Sequence, residues 1–189
     1  MHTVSISHLV DELCHEFDRT PTLASVQNVM ARHPVDPASL ERFADFRPNK
    51  YTRNLAYRCA KFEVLILCWD VGQTSRIHNH WDQQCWMAAP VGRLQVVNYR
   101  VVEGTGGAGH CKLARADDFW MTPGNPGYVD PAKPIHTVGN PIETGVPAMS
   151  IHVYSLPYDR CVIYSLGDHQ AVEVELKYDN TQGLPDDDH

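Results

Sequence analysis

Two histidines separated by a single residue, His78 and His80, constrain this chain more than any other feature. Side chains on an extended strand alternate between faces, so both imidazoles of an H-x-H pair point the same way and can grip one cation. Glycines frame the pair: Gly72 lies six positions before His78, and Gly92 follows Cys85 by seven. With eleven histidines in the sequence, an H-x-H pair on a solvated strand can also arise by chance. A metal clamp therefore needs a third ligand from elsewhere in the chain.

The rest of the composition narrows what such a clamp could serve. A length of 189 residues fits one domain with a substantial core. The net charge of -7, with no cluster of Lys or Arg, argues against nucleic-acid binding, which needs a dense basic patch. No apolar run is long enough to span a bilayer, so no membrane partner is expected. The N-terminal MHTVSISHLVDEL is too polar for a secretory signal, and a cytoplasmic location and a monomer are the expectation. Six cysteines without a C-x-x-C pair read as free thiols in a reducing compartment.

Along the chain the patterning changes once. Ile6, Leu9, Val10, Leu13 and Phe17 fall at helical spacing, with Ser5 or Ser7 available as N-cap. A second helix is expected over Thr22–His33, and Pro37–Phe46 continues the pattern until Pro48 interrupts it. Beyond that point come short β-rich runs separated by Gly, Pro and Asn: YTRNLAYR, FEVLILCW, CWMAAPVGRLQVVNYRVV, HCKLAR, HTVGN, MSIHVYSL and VEVELKY. Residues 1–47 are thus expected to form helices packed on a β-barrel of residues 48–180, within one domain. The acidic tail, 181–189, is expected to be disordered.

The missing ligand is expected at His136, in PAKPIHTVGN. This segment resembles the second of the two motifs of the cupin superfamily, P-x-G-x-x-H-x-x-x-N, with Lys133 in place of its glycine. The stretch from Gly72 to Gly92 resembles the first, G(X)5HXH(X)3-4E(X)6G, with Cys85 where the glutamate stands. The resemblance implies a mainly β chain, a cupin jelly-roll barrel with N-terminal α-helices. Three neutral imidazoles without a carboxylate leave a divalent ion its full charge, which favours an anionic ligand such as a thiolate.

Four separated signatures narrow the resemblance further: Tyr51-Thr52-Arg53-Asn54, Cys68-Trp69, H-x-H-x4-C from His78 to Cys85, and S-x-H-x-Y from Ser150 to Tyr154. In their order and spacing they resemble the thiol dioxygenases, and among these the cysteine dioxygenases of type I. The family implies one Fe(II) per chain, held by His78, His80 and His136. It also implies oxidation of L-cysteine by dioxygen to cysteine sulfinic acid. Three protein ligands leave open positions for both reactants, a feature of non-heme iron oxygenases.

The resemblance also distributes roles among the remaining residues. Arg53 would bind the substrate carboxylate through its planar fork, with Tyr51 beside it. Relatives acting on 3-mercaptopropionate carry Gln at that position, so Arg53 favours cysteine over that rival substrate. Ser150, His152 and Tyr154 alternate along one strand and share a face, opposite Ile151 and Val153. They form a relay that brings the Tyr154 hydroxyl to the metal, with a catalytic part for all three and for Cys85. In animal-type relatives a cysteine at the Cys85 position forms a thioether with the tyrosine at Tyr154, so these two side chains should be adjacent.

Trp69 and Cys161 lie at positions that the resemblance places around the pocket, but both read as core residues. The segment SLPYD is similar to the family's S-P-P-x-D turn with Leu156 in place of the first proline, so the loop must carry strain or be reshaped. His2, His8, His15, His33, His110, His169 and His189 read as exposed or structural. A non-catalytic metal-binding cupin shares the histidines but has no use for Arg53 together with the Ser150-His152-Tyr154 strand.

Overall fold

The computed structural model describes residues 2–181 and 183. The tail expected to be disordered thus lies largely outside the described residues.

Two helices open the chain, α1 (Ile6–Phe17) and α2 (Leu23–Arg32). Ser5 caps α1 by accepting a hydrogen bond from the His8 amide, and Thr22 caps α2 in a reciprocal pair with Ser25. A 3-10 turn follows at Pro37–Phe43 rather than a further helix. The apolar stripe of α1 (Ile6, Leu9, Val10, Leu13, Phe17) is buried, as its spacing requires.

Among the described residues, eleven strands follow. β1 (Thr52–Arg58), β2 (Phe62–Trp69), β4 (Cys85–Val91), β7 (Gly127–Tyr128) and β9 (Ala148–Ser155) form a five-stranded sheet in the order β1-β2-β9-β4-β7. β3 (Ile77–His78), β5 (Leu94–Gly104), β6 (Gly109–Met121), β8 (Ile135–Gly139), β10 (Arg160–Tyr164) and β11 (Gln170–Glu175) close on one another in the order β10-β11-β6-β5-β8-β3. The result is the mainly β jelly-roll architecture expected from the sequence.

The five-stranded sheet has two different faces. Val64, Ile66, Cys68, Ile151 and Val153 pack outward against the helices, in one cluster with Leu9, Leu13, Phe17 and Val26. Leu65, Leu67, Trp69, Cys85, Met87 and Tyr154 point inward, in a second cluster with Leu94, Val96, Met121 and Val138 of the closed sheet. This explains why every residue of β2 is buried, although its sequence shows no alternation: both faces are covered.

Several boundaries differ from the sequence reading. The single run CWMAAPVGRLQVVNYRVV is two strands, broken at Gly92, whose φ of +68° belongs to the left-handed region. A Cβ there would meet the Ala148 Cβ at 2.9 Å, so both backbone conformation and space call for glycine. β7 and β10 were not expected as strands. β3 ends at His78, so His80 stands just beyond the strand rather than on it.

Candidate metal centre

The site is assembled from both sheets. On the closed sheet, β3 and β8 place His78 directly opposite His136 in register. His80 follows two residues later, and its ring centroid lies 5.0 Å from that of His78 and 4.8 Å from that of His136. The centroids of His78 and His136 are 4.8 Å apart. One ligand atom from each ring can be chosen so that all three lie within 4.8 Å of one another.

The hydrogen bonding of these rings fits a cation and little else. His78 Nδ1 donates to the Arg76 carbonyl at 2.8 Å, which leaves Nε2 with its lone pair; such a second bond sets the tautomer of a ligating histidine. His80 and His136 are buried, and both nitrogens of each lack a hydrogen-bond partner. Four orphaned imidazole nitrogens in one place would be costly without a compensating ligand. Burial holds the His78 imidazole down at about 4 and pushes His80 and His136 well below the usual range. All three are neutral and able to donate lone pairs at neutral pH.

The five-stranded sheet supplies the opposite wall. Tyr51, Arg53, Trp69, His78, His152, Tyr154, Tyr158 and Cys161 line one cavity of about 800 Å3. Arg53, on β1, is only 8% exposed, and one of its terminal nitrogens has no partner. Its guanidinium lies 5.7 Å from the centre of the Tyr158 ring. Tyr51 stacks on Trp69 at 4.3 Å. The alternate residues of that signature point away and tie the strand down: Thr52 Oγ1 donates to the Asp45 carbonyl, and Asn54 Nδ2 to the Ile66 carbonyl.

A hydrogen-bonded chain runs along β9. Trp69 Nε1 donates to Ser150 Oγ at 2.8 Å, Ser150 Oγ lies 3.0 Å from His152 Nε2, and His152 Nδ1 lies 3.2 Å from Tyr154 Oη. Burial depresses His152 to about 3 and raises the Tyr154 phenol well above its usual range. Both groups are therefore neutral at pH 7 and act through hydrogen bonds rather than charge. Cys85, fully buried on β4, is the cross-strand register partner of Tyr154 on β9. Burial also raises its thiol, so it is not a thiolate.

Trp69 and Cys161 are buried as core residues would be, and both also line the cavity, where the resemblance puts them. Asn140 of the second motif is structural: its side chain donates to the carbonyls of Trp69 and Val146. Leu156 takes a φ of +66°, and its amide donates to the Lys61 carbonyl; the described residues contain no cis peptide. The SLPYD turn thus accommodates its missing proline by a left-handed residue. His33 is half-buried with Nδ1 on the Val29 carbonyl, and His8 is exposed.

Sequence reasoning missed Tyr158 and Glu63. Tyr158 stacks on Tyr154 at 4.6 Å. Its amide donates to Glu63, a carboxylate buried in β2 that also accepts the Tyr178 hydroxyl. The one available signal for Tyr158 was an aromatic residue four positions after Tyr154 in a proline-containing turn.

Residues 3–166 match the family described as Cysteine dioxygenase type I. The chain belongs to the cysteine dioxygenase type I family. Relatives include cysteine dioxygenase type 1 of Bos taurus, 31% identical over 72% of this chain and 66% of its own length. The Rattus norvegicus protein of the same name is 30% identical over 84% of this chain and 78% of its own. A Thermus thermophilus protein of known structure is 22% identical, with a TM-score of 0.46 over 62% of this chain and 93% of that one. The three-histidine centre, in a chain of this family, points to a bound metal.

Proposed function

We propose that this chain is an iron(II)-dependent cysteine dioxygenase, converting the thiol of L-cysteine and one dioxygen to the sulfinate, with both oxygen atoms retained in the product. Family membership supports this reading. The observation that carries it is the Arg53 guanidinium, buried and incompletely partnered in the same cavity as His78 and Tyr154. A non-catalytic metal-binding cupin has no reason to bury an uncompensated cation there.

Iron, held by His78, His80 and His136, would supply the redox step between sulfur and dioxygen, which meet slowly without it. Arg53 binds the substrate carboxylate and thereby fixes the direction of the thiol. Trp69 occupies an acceptor site on Ser150, which leaves the serine proton free to go to His152 Nε2. The Nδ1 proton of His152 then points at the Tyr154 oxygen. In that arrangement the phenol keeps its own proton for a group in the cavity, and the relay orients a hydrogen bond at the reacting centre.

The Cys85–Tyr154 register supports a thioether between the sulfur and the tyrosine ring. Its formation removes two hydrogens, which dioxygen would accept. The same reading has the chain working as a monomer in the cytoplasm, for which the six free cysteines are suited. The deciding experiment adds L-cysteine to the anaerobic iron-loaded protein and then admits dioxygen. Uptake of one dioxygen per cysteine, with cysteine sulfinate as product, is expected; no uptake favours the binder.

A further inference from the structure

A second convergence of ligand-type side chains lies outside the cavity, on the helices. His8 and Glu12 are one helical turn apart on α1 and share a face, while His33 caps the C-terminus of α2 and faces them. His8 Nε2 lies 4.0 Å from one oxygen of Glu12, and His33 Nε2 lies 4.0 Å from the other. The two imidazole centroids are 5.4 Å apart, and one ligand atom from each of the three residues falls within 4.8 Å of the others.

These groups do not satisfy one another. A separation of 4.0 Å is beyond hydrogen-bonding range, so the carboxylate sits between two ring nitrogens without bonding to either. His33 Nδ1 donates to the Val29 carbonyl at 3.0 Å, which fixes the tautomer and leaves the Nε2 lone pair facing Glu12. A carbonyl on the far nitrogen is the second contact typical of ligating histidines.

The backbone is held in place around the trio. The Ser5 side chain caps the His8 amide. The Val4 amide donates to the Pro34 carbonyl, and the Asp36 amide to the Val4 carbonyl, so the entry to α1 and the exit of α2 are tied side by side. Ligand atoms around a tetrahedral zinc at ~2.0–2.1 Å sit roughly 3.3–3.5 Å apart, so shifts below about 1 Å would complete the set.

We propose that His8, Glu12 and His33 form a second metal site, which takes zinc(II) or a similar divalent transition ion with water as fourth ligand. Two imidazoles and a carboxylate are a donor set suited to such ions. The ion pins α1 to α2, the layer that covers the outer face of the five-stranded sheet.

The test titrates the metal-free full chain with zinc and counts bound ions by competition against a chromophoric chelator, with cobalt absorption as a second readout. Two zinc ions per native chain are expected, one in His136→Ala, and one in both His33→Ala and Glu12→Gln. The second ion should raise the thermal midpoint of the native protein and bind at least about tenfold more weakly, or not at all, in the two helix variants. Glu12→Gln keeps the side-chain shape, which separates lost ligation from misfolding.

One ion in the native chain, or two in both helix variants, overturns the proposal. So does a thiolate-to-cobalt absorption band at the second site, which would put that ion on cysteine. Iron-loaded His33→Ala should still form sulfinate, so the catalytic reading stands or falls separately.

Discussion

On the proposed function, Arg53 is the residue on which substrate choice should turn. Its guanidinium is buried at the wall of the cavity with a nitrogen left over, which suits a carboxylate and leaves it poorly satisfied without one. Replacing Arg53 by Gln should lower kcat/KM for cysteine by between ~10- and ~100-fold, the range for a lost charge-assisted pair. The ratio of 3-mercaptopropionate to cysteine turnover should rise in the variant; a native enzyme preferring the amine-free thiol would contradict the assignment. His152 makes a different prediction. Its folded pKa of about 3 lies below its ordinary 6.5, so the stability it contributes is present above pH 6.5 and is lost as pH falls toward 3. Between pH 6.5 and about pH 5, His152→Gln should lose about 2 kcal/mol less stability than native protein in urea titrations. Equal losses would mean that His152 is already protonated in the folded state.

Elements differ in how much of themselves the sequence exposes. β2 was legible as an apolar, strand-forming run broken by Glu63, and β9 as an alternation of polar and apolar side chains. β3 has two residues, too few to carry any periodicity, and its pairing depends on β8 and β10, far away in sequence. The same distance hid part of the site. Arg53, the histidines and Tyr154 belong to short local patterns, whereas the contact between Glu63 and Tyr158 spans 95 residues and leaves no local trace. The pairing of β4 with β9 carries its own prediction, because Cys85 and Tyr154 are register partners. Intact mass of the iron-loaded, turned-over protein should show a fraction about 2 Da lighter, and that fraction should be absent in Cys85→Ala. A single unshifted mass after many turnovers would exclude the thioether.

At the scale of the whole molecule, the cavity lies between sheets that contribute different things. The closed sheet brings His78 and His136, and the five-stranded sheet brings Arg53, Cys85, His152 and Tyr154. Removing the metal should therefore affect the molecule unevenly. Amide exchange is expected to accelerate at residues 77–80 and 160–164 while the centre of β2 and β9 stays protected. A uniform change, or none, would show that the ion is not coupled to that seam.

The two-residue strand β3 is the stave that joins β8 to β10 and so completes the ring of strands. One of its two residues is His78. Loading an ion there would act as a keystone: the event that arms the chemistry would also lock the hoop, and a chain without its ion should breathe where its reactants meet.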